Sequence, residues 1–137
     1  MRKRRGFQSY RERWPFIMLR CKAIWAEGKG DHQAALSFLQ QAAQIRPLHP
    51  ENRADEARLL LVTQRFREAQ NALASLRADL SQSSDPNRLY LRRWSTAQIA
   101  LMQTNPSQFA YEAREAQALS CRRRLKEKFP LPVPEED

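Results

Sequence analysis

Glycine is scarce in this chain, with three among 137 residues. A loop that cradles phosphate needs several glycines close together, so a nucleotide site of that kind is excluded. Cysteine is rarer still. Cys21 and Cys121 stand 100 residues apart, which is neither a metal-ligand spacing nor a disulfide framework. Both are expected as reduced, partly buried thiols in helices. The two histidines, His32 and His49, are isolated from each other and from the cysteines. No metal site and no nucleophile–base pair can be assembled from them; no cofactor and no catalytic residue are expected, and an enzyme is not. Alternating runs of Val, Ile or Thr are missing, which argues against strands. Long apolar runs are missing too. "FIML" is cut short by Arg20 and Lys22, whereas a secretory signal needs roughly 7–15 apolar residues and a membrane span about 20. The "KRRGF" near the start therefore lacks the apolar run that a twin-arginine signal requires, and a cytoplasmic protein without a membrane span is expected.

Ala, Leu, Gln, Arg and Glu dominate, all good helix formers. With 42% hydrophobic and 28% charged residues, the composition is that of an all-α globular domain. The excess charge of +9 is concentrated at the ends. Arg2, Lys3, Arg4, Arg5, Arg11 and Arg13 face a single acid, Glu12, and Arg122, Arg123, Arg124, Lys126 and Lys128 face only Glu127. The middle is mildly basic, and the last residues, Glu135, Glu136 and Asp137, are acidic. Three regions are expected: a basic N-terminal arm over 1–13, a helical domain over 14–128, and a proline-rich acidic tail over 129–137.

Six helices are expected. Pro15 suits a helix start, where its missing N–H costs nothing, and a first helix runs over 16–27. After "EGKGD", a second runs over 32–45 and is stopped by "RPLHPEN". A third spans 52–63 and a fourth 66–80, joined by a turn so short that the pair must pack antiparallel. The polar "SQSSDPN" separates them from a fifth over 88–103. "TNPS" caps a sixth that begins near 107 and continues to 128.

The helices repeat. A shift of 34 residues sets Ala23 on Ala57, Ala26 on Leu60, Ala35 on Ala69, Leu39 on Leu73 and Ala42 on Leu76. A further shift of 40 sets Ala97 on Ala57, Ala100 on Leu60, Ala113 on Leu73 and Ala116 on Leu76. With Gly30 and Asp31 at a turn, Ala35, Leu39 and Ala42 in the next helix, and Pro47 as its stop, the chain resembles the tetratricopeptide repeat family. The first unit is clear, the second has Gln64 at the usual turn glycine and Ser81 at the usual proline, and the third, with Phe109 at an alanine position, is degenerate. The resemblance covers about residues 16–119. It implies antiparallel helical hairpins stacked as a short right-handed solenoid, and a non-enzymatic protein–protein interaction module, an adaptor or assembly chaperone acting as part of a larger complex.

In that family the first helix of each hairpin lines a concave groove. The resemblance places Ile17, Arg20, Cys21, Ile24 and Glu27 there, with Glu51, Asp55 and Arg58 in the second unit and Leu91, Trp94, Ser95 and Gln98 in the third. The carboxylate clamp known in the family is disfavoured, because Ile24 and Asp55 stand where it needs asparagine. A mixed apolar segment or a partner with an acidic surface fits better. Trp14 and Trp25 are expected in the core and Trp94 in the groove, beside a basic-aromatic patch of Tyr90, Arg92 and Arg93. The basic ends, Arg2, Lys3, Arg4, Arg5, Arg122, Arg123, Arg124 and Lys126, would steer an acidic partner. The alternative is a basic RNA- or DNA-associated accessory protein, although zinc spacing, RNP-like strands and heptad zippers are all missing.

Overall fold

The computed structural model describes residues 2–133, with side chains from Arg13 onward. Arg2, Lys3, Arg4 and Arg5 therefore lie outside the described side chains, and the acidic end of the tail outside the described residues. Among the described residues the chain is all helical, in seven helices: α1 (Arg2–Gly28), α2 (His32–Ile45), α3 (Pro50–Val62), α4 (Phe66–Asp79), α5 (Pro86–Met102), α6 (Pro106–Gln117) and α7 (Arg123–Lys128). It divides into two compact units, residues 1–66 and 67–137.

The helix starts arise from side chains that accept the first free N–H groups. Asp31 caps α2 through the Ala34 N–H at 3.1 Å, Asp85 caps α5 through Arg88, and Asn105 caps α6 through Gln108. Pro50, Pro86 and Pro106 each open their helix, where φ is already set and no N–H is wanted. Pro15 behaves differently. Its sequence context suits a helix start, yet it lies inside α1, so the basic segment before it continues the same helix.

The hairpin turns are copies of one another. The N–H groups of Asp31, Arg65 and Asn105 each donate to the carbonyl five residues back, on Ala26, Leu60 and Ala100, all at 2.9 Å. Gly30, Gln64 and Thr104 donate to the carbonyl three residues back and have positive φ, at 81°, 63° and 51°. This is the Schellman end of a helix, and it recurs at the 34- and 40-residue offsets of the repeat. Ala23, Ala57 and Ala97 are buried, as are Ala35 and Ala69, Leu39, Leu73 and Ala113, and Ala42, Leu76 and Ala116. The alanines let helices approach closely while the leucines fill the space between ridges. Phe109, in the degenerate position, is half-buried.

In the first unit α2 packs on both α1 and α3, around Phe16, Ala23, Ala26, Leu36 and Leu39. In the second, α5 packs on α6, and the chain then departs from expectation. A straight helix over 106–128 would be about 35 Å long, well beyond the roughly 25 Å of the 17-residue α5. Instead α6 ends at Gln117, and the Arg122 N–H donates to Asn87 Oδ1 at 2.8 Å. The short α7 returns Leu125, Phe129 and Leu131 to the core, where each is no more than 2% exposed. The proline-rich tail is thus in part a structural strap.

Candidate functional site

Five of the expected groove residues in the first compact unit are charged, Arg20, Glu27, Glu51, Asp55 and Arg58, and the fold joins them to one another. Arg20 and Glu27 lie two turns apart on α1, and Asn52, Asp55 and Arg58 recur at three-residue spacing on α3, so each set shares a face. Arg20 donates to Asn52 Oδ1 at 2.9 Å and to Asp55 Oδ2 at 3.0 Å. Arg58 donates to both carboxylate oxygens of Glu27, at 2.5 and 2.7 Å, and to Asp55 Oδ1 at 3.1 Å. Asn52 Nδ2 continues the network to the Leu39 carbonyl in the middle of α2 at 3.1 Å. Asp55 is buried and bridges two guanidinium groups. Burial opposes the charge on Arg58, but its hydrogen bond to Glu27 and the charge of Asp55 outweigh it and hold its pKa above the usual value. Bidentate, charge-assisted bonds of this kind are the strong ones. Arg20, Glu27, Asp55 and Arg58 are therefore a clasp between α1 and α3.

In the second unit Leu91 and Trp94 are buried. Trp94 meets the Phe129 ring edge-on at 4.9 Å between centroids, and the Tyr90 hydroxyl donates to the Phe129 carbonyl at 2.6 Å. Burial, with a smaller contribution from Cys121, pushes the Tyr90 phenol up to about 12. The groove position given to Trp94 is thus taken by the chain's own tail. At the repeat offset the same position is held by Arg20, which reaches α3. Arg93 pairs with Glu112 at 2.9 Å, and Gln108 donates to the other Glu112 oxygen at 2.9 Å. Burial acts against the Arg93 charge, and the Glu112 bond overcomes it and raises its pKa. The basic-aromatic patch is in this way largely bonded internally. Gln98 is half-buried, and Ser95 donates to the Leu91 carbonyl of its own helix at 2.8 Å.

Arg122, Arg123 and Arg124 are exposed or partly so, and Arg123 pairs with Glu127 at 3.2 Å. Lys126 is half-buried, with Nζ on the Gln117 carbonyl at 3.0 Å.

The open apolar groups lie on α1. Ile24 is 54% exposed, Ile17 is half-buried beside it, and Cys21 is exposed rather than partly buried. Trp14 and Trp25, expected in the core, are 59% and 64% exposed, whereas Trp94 is 3% exposed. Helical spacing places a tryptophan on a face; whether another element covers that face is a tertiary fact. The spacing of Trp14, Met18, Cys21 and Trp25 nevertheless marks an outer apolar stripe that a core assignment passes over. The strap residues Phe129 and Leu131 escape notice in the sequence because the prolines around them suggest an unpacked tail.

Hairpins with repeated turns and alanine crossings define a helical repeat protein. Residues 26–92 match the family model described as tetratricopeptide repeat, so this stretch is tetratricopeptide repeat sequence, spanning the first turn to the start of the third hairpin. No curated protein and no solved structure matches the chain. Repeats of this family mediate protein–protein interaction. Among the described residues no helix is long and apolar enough to cross a membrane.

Proposed function

We propose that the protein is a non-enzymatic adaptor or assembly chaperone that holds a segment of a partner protein against the first helices of its hairpins. Support comes from one observation above the others: Ile24 is exposed on α1 with Ile17 beside it, while Arg20, Glu27, Asp55 and Arg58 are bonded to one another in the clasp. A surface of this kind takes up apolar groups. In the second compact unit half-buried Gln98 is the corresponding contact, on the same helix as the buried Leu91 and Trp94.

The test is partner capture by the intact protein, with cross-linking and mass spectrometry as the readout. Ile17→Asp with Ile24→Asp should lower recovery of the cross-linked partner at least tenfold, the loss of two buried anchors at about 1 kcal/mol or more each, with the helical circular dichroism unchanged. Equal recovery would sink this assignment. The exposed arginines of 122–124 favour a second reading, attachment to RNA or DNA. Binding of a generic RNA that survives physiological salt would support it; loss of all binding there removes it.

A further inference from the structure

The stripe on α1 has a geometry and a charge environment of its own. Trp14, Met18, Cys21 and Trp25 succeed one another at spacings of four, three and four, the rhythm of a helix–helix seam. With Ile17 and Ile24 they occupy about 120° of the helix circumference. No ionisable group other than the Cys21 thiol falls inside that arc among residues 13–28. Trp14 and Trp25 stand about 17 Å apart along the axis. All but Ile17 are exposed, so the seam is built and unpartnered within its unit. The opposite face of α1 carries Phe16, Ala23 and Ala26 into the core, which fixes the stripe outward.

The border of the stripe is basic. Arg13 flanks one side, Lys22 and Lys29 the other, and all three are exposed. Lys29 Nζ stands 3.5 Å from the centroid of the Trp25 ring, and Lys22 lies 5.9 Å over Phe38. The acids of residues 13–31 are Glu27 and Asp31. Glu27 is held by Arg58 and Asp31 caps α2, so neither neutralises the border. A second copy of this chain would bring a basic border against a basic border in either direction of pairing, which repels.

We propose that this stripe docks an amphipathic helix of a partner protein, with an apolar seam facing Trp14, Met18, Cys21 and Trp25 and acidic residues along its flanks. The proposal rests on the interaction-module reading and names the chemistry of the partner. The two indoles are the anchors, because aromatic side chains dominate interface energetics when they are covered. Arg13, Lys22 and Lys29 set the sign of the partner and speed its approach.

Two synthetic helical peptides test it, identical in their leucine seam, one flanked by glutamate and one by lysine. Binding to the full chain is read by titration calorimetry. The glutamate peptide should bind at least about tenfold more tightly than the lysine peptide, the worth of a few surface pairs. A triple variant, Trp14→Gln, Met18→Gln and Trp25→Gln, changes exposed side chains only and should reduce binding of the glutamate peptide by at least about tenfold. Equal affinity for the two peptides, unchanged binding by the triple variant, or binding of neither peptide overturns the proposal. So does capture by anionic phosphatidylserine vesicles without peptide binding, which would make the stripe a lipid-surface element. Sedimentation showing a dimer that the triple variant abolishes would overturn it too, assigning the stripe to self-association. A captured protein partner that the triple variant retains would leave the adaptor reading standing and overturn this one alone.

Discussion

At Asp55 one buried carboxylate accepts from two guanidinium groups, Arg20 on one oxygen and Arg58 on the other. Removing it takes one acceptor from each guanidinium, while Arg58 keeps Glu27 and Arg20 keeps Asn52. Asp55→Ala should therefore cost about 1–3 kcal/mol of stability, the worth of lost hydrogen bonds to charged groups; urea denaturation measures it, and no loss would show that the arginines turn to their other acceptors and to solvent. Two other residues, one in the same helix and one capping it, make stability depend on pH in opposite senses. Half-buried Glu56 has one oxygen without a hydrogen bond, and burial, partly offset by Arg53, raises its carboxyl from 4.5 to about 7. Below the unfolded value it is neutral in both states and costs nothing; as pH rises through the folded value, stability is lost. Glu56→Gln should thus raise the melting temperature at about pH 8 and leave it unchanged near pH 4. His49 caps α3 by accepting the Asn52 N–H on Nδ1 at 3.2 Å and lies against the Phe16 ring. Burial, then the charge of Arg20, lowers its pKa below 6.5. Its contribution is present above the unfolded value and disappears as pH falls through the folded one. His49→Asn keeps a capping acceptor and should flatten thermal stability on that acid side; a slope unchanged from the parent would show that the cap does not titrate.

The elements carry the repeat most plainly in their turns. Gly30 is legible as a turn glycine, and a Cβ built there meets no atom within 4 Å. The cost of Gly30→Ala is accordingly conformational alone, about 1 kcal/mol for an L-residue at positive φ. Gln64 and Thr104 already bear that strain at φ 63° and 51°. Gln64→Gly and Thr104→Gly should each stabilise by up to about 1 kcal/mol, less the extra freedom glycine has in the unfolded chain. Chemical denaturation of the three variants checks the set, and destabilisation by both new glycines would show that the side chains, not the backbone, hold these turns. The positions of α2 to α5, and the start of α6, are legible in the sequence to within two residues, because caps, prolines and 3.6-residue periodicity are local signals. The passage of α1 through Pro15 and the break of α6 before Arg122 are not. The second depends on distant partners: nothing in "ALSCRRRLK" stops a helix, and the break exists because Asn87 and the core of α5 receive the residues beyond it.

On the scale of the whole molecule, the candidate surface is half legible for the same reason. Alignment to the repeat names Arg20, Glu27, Asp55 and Arg58, and it cannot foresee that they bind one another across α1 and α3. It names Trp94 as open and passes over Trp14 and Trp25, because the residue that covers the first is the distant Phe129 and nothing within their unit covers the others. The second unit depends on that downstream element in a measurable way. Phe129 supplies a ring to Trp94 and a carbonyl to Tyr90, and both partners lie in α5. Phe129→Ala removes the ring and opens a cavity against Trp94, with an expected cost of about 3–5 kcal/mol. Stability in a repeat protein is distributed by unit, and local opening reports where the loss falls. Hydrogen exchange should therefore show the largest loss of protection in peptides from α5 and α7, with a smaller loss in α1 to α3. Uniform loss along the chain would mean that the two units unfold as one, and no loss in α5 would mean that the strap contributes nothing to holding it.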